Sequence, residues 1–256
     1  MTTADDHVLA RDLAVAAGQL LLELRGRGGD RDALRKSGDR LSHEFLAAEL
    51  AARRPGDAVL SEEGIDDKAR LAAQRVWIVD PLDGTREFGE DGRTDWAVHV
   101  ALWERGGSGL GRLTAGAVAL PAQGRVLSTV SPPAPPAGAP TTRLRLVVSR
   151  SRAPRLVRDV AGRLGAELVP CGSAGAKVAT VITGETDAYL HAGGFYEWDT
   201  AAPVAVARAA GYHASRIDGA ELAYNREDPL LPDILVCRPV IAGLLLAAIR
   251  EAAHAI

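Results

Sequence analysis

Trp77-Ile78-Val79-Asp80-Pro81-Leu82-Asp83-Gly84-Thr85 decides the reading of this chain. Four residues of buried-strand character run into Asp-Pro, and Asp-Gly-Thr follows. Pro81 fixes its own φ and drives Asp80 toward an extended conformation, while Gly84 permits a close backbone approach. Both carboxylates can therefore be aimed at one point. A helix starting near Gly84 would turn its unpaired N–H groups to that point as well, an arrangement that favours phosphate. Asp-Gly alone is an ordinary surface turn, but a second acidic strand end, Leu60-Ser61-Glu62-Glu63, comes shortly before this one. Carboxylates that converge repel one another and are costly to bury unpaired, so their convergence implies bound cations. Magnesium suits hard oxygen ligands and keeps waters that can react.

Working outward, residues 4–25 place Val8, Leu9, Leu13, Ala16, Leu20, Leu21 and Leu24 on one helical face. A second helix is expected from Ser42 to about Arg54, with Ser42 as its cap, Pro55-Gly56 as its stop and Asp39 just ahead of it. Short buried strands are expected at 58–60 and 76–79, and an antiparallel meander at 96–102, 115–120 and 125–130. Residues 131–142 hold five prolines and read as an exposed connector or long hairpin tip. Beyond it, strands at 144–148, 166–169 and 187–190 alternate with helices at 153–164, 173–182 and 201–210. The expected organisation is an N-terminal α+β half, residues 1–140, and a C-terminal α/β half, residues 141–256, acting as one catalytic unit.

The 256 residues are 47% hydrophobic and 25% charged, the composition of an ordinary globular chain. A net charge of -3 with dispersed basic residues predicts no nucleic-acid or anionic-membrane partner. Cys171 and Cys237 have no metal or disulfide spacing, which fits a reducing cytoplasm. The polar start lacks the pattern of an export signal, and the apolar run at 240–249 falls short of the roughly 20 residues a membrane span needs. The six histidines show no metal-binding spacing and are assigned no role. Ser149 and Ser151 lack a nucleophile elbow.

The sequence resembles the lithium-sensitive, magnesium-dependent phosphatases that include inositol monophosphatase. Asp80-Pro81-Leu82-Asp83-Gly84-Thr85 matches that family's D-P-[IL]-D-G-T signature, Ser61-Glu62-Glu63 its upstream acidic element, and Trp198-Asp199-Thr200-Ala201-Ala202-Pro203 its C-terminal W-D motif. Asp83-Gly84-Thr85-Arg86-Glu87-Phe88 and Val148-Ser149-Arg150-Ser151 are similar to the CysQ-type 3'-phosphoadenosine 5'-phosphate phosphatases. Arg152 stands where that group commonly has His, and the upstream elements are reduced to Lys36-Ser37-Gly38-Asp39.

The resemblance implies a layered αβαβα sandwich, the sugar-phosphatase fold. It also implies two to three magnesium ions held by Glu62, Asp80, the main-chain carbonyl of Leu82, Asp83 and Asp199. Thr85, oriented by Asp39, would position the attacking water. The implied substrate is a small phosphomonoester, 3'-phosphoadenosine 5'-phosphate, with inositol 1-phosphate or fructose 1,6-bisphosphate as the alternative and a non-catalytic sensor as a remote one. Substrate contacts would come from Glu62, Leu82, Asp83, Gly84, Thr85, Ser149, Arg150, Ser173, Lys177 and Asp199. Gly172-Ser173-Ala174-Gly175-Ala176-Lys177 is not a P-loop; it either contacts the ligand or is a helix cap with a solvated lysine. Arg150 and Arg86 either receive the second phosphate or are merely solvated, and Trp198 buttresses Asp199. A homodimer is common among such proteins.

Overall fold

The computed structural model describes residues 3–106, 111–134, 143–151 and 153–253. Most of the proline-rich segment, from residue 135 on, lies outside the described residues, as does Arg152. The chain opens with α1 (Ala4–Gly26), whose cap Thr3 donates its backbone N–H to Asp6 at 2.8 Å. Asp6 is buried and also receives Arg54 and Arg75, which pins the helix start to later segments. Its carboxyl is held down at about 2: burial opposes this, but the Thr3 amide and the two guanidiniums outweigh it.

The second helix is where expectation and structure part. Helix α2 runs Arg31–Arg53, eleven residues longer at its start than the sequence pattern predicts, so Asp39 sits inside it and not ahead of it. The cap is Asp30, whose side chain accepts from the amides of Asp32 and Ala33. Gly38, inside this helix, is a point of contact. A Cβ on Gly38 would come within 2.8 Å of Phe88 and 2.9 Å of Leu82, so only glycine lets the helix lie this close to the acidic turn.

Five strands form the first sheet in sequential order: β1 (Ala58–Ser61), β2 (Arg75–Asp83), β3 (Ala97–Glu104), β4 (Arg112–Leu120) and β5 (Arg125–Ser128). Strands β3, β4 and β5 are antiparallel, as the meander pattern predicts; β2 joins them antiparallel to β3, and β1 runs parallel to β2. A one-turn helix, α3 (Thr85–Phe88), follows β2 directly. The second sheet has the order β7-β6-β8-β10-β9, built from β6 (Arg145–Ser149), β7 (Glu167–Cys171), β8 (Ala188–Tyr196), β9 (His213–Ser215) and β10 (Leu230–Cys237). Strands β9 and β10 are not foreseen in the sequence reading. Helices α4 (Arg155–Leu164), α5 (Ala174–Ile182), α6 (Glu197–Ala209) and α7 (Pro239–Ala253) complete the chain.

The layers are α1 and α2, the first sheet, α5 and α6, the second sheet, then α4 and α7. This is the expected αβαβα sandwich. The middle layer explains its own composition: residues 200–207 of α6 are all buried, because both sheets press on the helix, and Ala and Val permit that approach. One core joins the sheets through this layer, with Val76 and Ile78 on one side and Tyr189 and Val236 on the other. No helix among the described residues is long and apolar enough to cross a membrane.

Candidate active site

Strand ends and helix starts converge on the acidic turn. Strand β2 carries Asp80 and Asp83 through a register shift against β3, where the pairing passes from Asp80↔His99 to Asp83↔Ala97. That irregularity lets Asp80 and Asp83 face one locus, which strict alternation would forbid at three residues' separation. Gly84 then adopts φ 86°, and a Cβ there would stand 2.9 Å from Ser173, so the position demands glycine twice over. Asp199 arrives from the first turn of α6, where its Oδ2 accepts the Tyr196 amide at 2.6 Å.

One oxygen from each of Asp80, Asp83 and Asp199 lies within 4.8 Å of the others. Glu62, just past β1, stands beside them on the solvent side, close enough for its charge to act on Asp80. Asp80 is 1% exposed; its Oδ1 accepts the Leu82 amide at 3.0 Å, and its Oδ2 is buried without a donor. Burial, then the charge of Glu62, pushes the Asp80 carboxyl well above the ordinary range. Burial and the charge of Asp83 raise Asp199 to about 6. Glu62 rises to about 7: although its side chain reaches solvent, the surrounding protein withdraws much of its water, and Asp199 repels it.

Asp83 behaves in the opposite way. Burial alone would raise it, but it faces His99 and accepts two amides from the start of α5, Ala174 at 3.1 Å and Gly175 at 2.6 Å, so it is held below the ordinary range. A cluster with one orphaned buried oxygen, three raised carboxyls and oxygen donors only fits a hard divalent cation, which would satisfy the orphan and offset the repulsion. The Leu82 carbonyl accepts Thr85 Oγ1 at 3.1 Å and has a second lone pair to offer. The Thr85 hydroxyl also lies 3.2 Å from Asp39 Oδ1. Burial, reinforced by the charge of Glu63, raises Asp39 to about 6.

The remaining expected residues are placed less uniformly. Ser173 is the N-cap of α5, its Oγ accepting the Ala176 amide at 3.0 Å, while its Cβ packs over Gly84. Lys177 is buried, not solvated; its Nζ donates to the Gly172 carbonyl and lies 5.4 Å from the Tyr189 ring. Arg150 is engaged by Glu87 at 2.8 Å and Glu90 at 3.0 Å, which ties it to the segment after the acidic turn. Arg86 is exposed. Ser149 lines a cavity of about 740 Å³ together with Ser151, Arg155, Arg158, His191 and Gly193. A larger cavity, about 900 Å³, is lined by residues such as Lys68, Arg216 and Leu231 and includes none of the expected site residues.

Sequence reasoning missed His99 and Asp95. His99 is fully buried between the Trp198 carbonyl, 3.2 Å from Nδ1, and Asp83 Oδ2, 3.1 Å from Nε2. Asp95 accepts the Gly172 amide at 2.6 Å through its carboxylate and the Ser173 amide at 3.0 Å through its carbonyl, locking the α5 turn onto the first sheet. Neither has a spacing that marks it in the chain.

A five-layer sandwich with a carboxylate cluster between its sheets defines a class. The chain belongs to the inositol monophosphatase family, a family of phosphatases, whose sequence profile matches residues 6–254. It is 54% identical over 255 residues to the 3'-phosphoadenosine 5'-phosphate phosphatase of Mycobacterium leprae, covering 96% of this chain and 94% of that one. The same identity holds over 241 residues with the protein of that name from Mycobacterium tuberculosis, with 92% and 90% covered. Among solved structures, CysQ from Bacteroides thetaiotaomicron superposes with a TM-score of 0.79 at 28% identity, covering 91% of this chain and 97% of that one. Inositol monophosphatase II from Staphylococcus aureus shares the fold, with a TM-score of 0.83 at 19% identity and 98% of both chains covered.

Proposed function

We propose that this protein is a magnesium-dependent phosphatase that hydrolyses 3'-phosphoadenosine 5'-phosphate to AMP and phosphate. The observation that carries the chemistry is the meeting of Asp80, Asp83 and Asp199 around an orphaned buried oxygen, with Glu62 beside them. Glu62, Asp80, the Leu82 carbonyl, Asp83 and Asp199 would hold two to three magnesium ions. Bound magnesium would polarise the phosphoryl oxygens, acidify water and stabilise the leaving oxygen.

The chain's own groups do the rest. Thr85 directs its hydroxyl hydrogen to Asp39 Oδ1 and the Leu82 carbonyl, so its Oγ1 lone pairs are left to accept from the attacking water. Asp39, raised to about 6, is poised to take a proton through that hydroxyl near neutral pH. The amides of Ala174 and Gly175 hold Asp83 in one orientation, which removes a reorganisation cost from the reaction.

The substrate reading is supported by the two mycobacterial relatives at 54% identity and by a cavity of about 740 Å³ beyond Ser149, a size suited to a nucleoside. Arg150 is already neutralised by Glu87 and Glu90, so it meets the second phosphate only if those contacts open. The deciding experiment is phosphate release from a panel of nucleotide and sugar phosphates, with magnesium and with chelator. The expected result is magnesium-dependent release with the highest kcat/KM for 3'-phosphoadenosine 5'-phosphate. Equal kcat/KM for inositol 1-phosphate or fructose 1,6-bisphosphate would refute the substrate assignment, and release undiminished in chelator would refute the metal.

A further inference from the structure

His99 lies at the point where the three carboxylate-bearing segments meet. It pairs with Asp80 across the β2–β3 ladder, so the two side chains share a face of the sheet. The Nδ1 edge of its ring is 3.2 Å from the Trp198 carbonyl, the peptide group immediately before Asp199. A carbonyl can only accept, so Nδ1 is the donor there. The Nε2 edge stands 3.1 Å from Asp83 Oδ2, in contact with it though not aligned as a hydrogen bond. A Cβ on Gly175 would fall 2.1 Å from Nε2, so the ring, the α5 turn and the Asp83 carboxylate fill one another's space. The ring itself is 0% exposed and cannot swing away without opening the core.

We propose that His99 is the positioning residue that sets the spacing of Asp80, Asp83 and Asp199, one rigid ring acting as the common spacer between the segments that carry them. It is not counted as a further ligand: the described side chains that stand close enough together to share an ion, Asp80, Asp83 and Asp199, do not include it. The inference rests on the metal reading above and adds to it a cause for the geometry. Groups that hold metal ligands in place alter metal affinity when they are removed, even though they never touch the ion.

The test is magnesium binding to substrate-free protein by calorimetry, in wild type and in His99→Leu, with the melting temperature in chelator as the check on folding. The expected result is a magnesium Kd raised about 10–100-fold in the folded variant. A role in packing alone would lower the metal-free melting temperature and leave that Kd where it was. A Kd within about twofold of wild type therefore overturns the proposal. Should His99→Leu fail to fold, His99→Asn takes its place: it keeps a donor for the Trp198 carbonyl and loses the edge against Asp83. Its Kd is expected about tenfold higher in protein that still melts cooperatively in chelator, and an unchanged Kd again overturns the proposal. Wild-type protein that takes up no magnesium defeats the metal reading itself, which separates the two failures.

Discussion

Asp80→Asn is expected to stabilise the metal-free protein while abolishing its response to magnesium. Asp80 is buried with one oxygen unpartnered, and Glu62, Asp83 and Asp199 all repel its charge. Asparagine is isosteric: its Oδ1 can keep the Leu82 amide, and its Nδ2 replaces the orphaned oxygen with a donor facing Glu62. The scale comes from Asp199, which is displaced from 3.8 to about 6 in the same cluster. Two units correspond to roughly 3 kcal/mol withheld from the ionised form. Asp80 is the deeper of the two, and solvent entering a relaxed cluster returns part of the cost, so the gain near pH 8 is expected to be of that same order. In a chain of this length that is a rise of about 5–10 °C in Tm.

The sign depends on pH. Raised carboxyls lend stability while they are protonated and lose it as pH climbs through about 6 for Asp199 and about 7 for Glu62. The advantage of the variant should accordingly be largest near pH 8 and nearly vanish only toward about pH 4, where a carboxyl is protonated in the unfolded chain as well. Scanning calorimetry in chelator at the two pH values reads this directly, and a repeat with magnesium should raise the wild-type Tm and leave the variant nearly unmoved. A variant that melts at or below wild type in chelator near pH 8 would refute the reasoning, as would an equal magnesium response in both proteins.

Asp39→Asn should cut kcat about 10²–10⁴-fold and flatten an acid limb centred at about 6 in the pH–rate profile, while leaving the magnesium-induced rise in Tm intact; loss of that rise would make Asp39 a metal-site residue instead. Arg70 is 1% exposed and donates to Asp66, Asn225 and the Arg226 carbonyl. Arg70→Met should lower stability by about 3–5 kcal/mol in denaturant unfolding, and a loss under about 1 kcal/mol would show that the network is not needed. Gly38→Ala should cost about 1–3 kcal/mol, because the new methyl meets Phe88 and Leu82, and should lower kcat by displacing Leu82 and Thr85; unchanged kcat would show that α2 does not set that turn.

Much of this was legible in the chain because the informative residues are local in sequence. The 77–85 run carries its strand, its proline and its glycine together, so its conformation follows from neighbours. Asp199 was legible only through the resemblance of its Trp-Asp-Thr-Ala-Ala-Pro run to a family motif. What escaped depends on contacts far apart in sequence. The start of α2 is fixed by Asp30, and Gly38 is required because Phe88, distant in sequence, fills the space a side chain would need. His99 reads as one polar residue in an apolar strand, and only the β2–β3 register and the approach of α6 reveal its neighbours. Arg150 reads as a free cation until the fold brings Glu87 and Glu90 to it. Strands β9 and β10 escaped because β9 is three residues long and β10 holds a proline and an aspartate at a register shift.

Helix α6 bears on both sheets with a face of small side chains, and a Cβ on Gly116 of β4 would come within 2.8 Å of the Ala205 methyl. The same rod carries Asp199 in its first turn, so a methyl group added in the interior would act as a lever whose far arm carries the carboxylate. Selection on the spacing of the carboxylates should then enrich substitutions at β-strand glycines and alanines as readily as at the rim. The packing of the interior and the placing of Asp199 are thus properties of one helix.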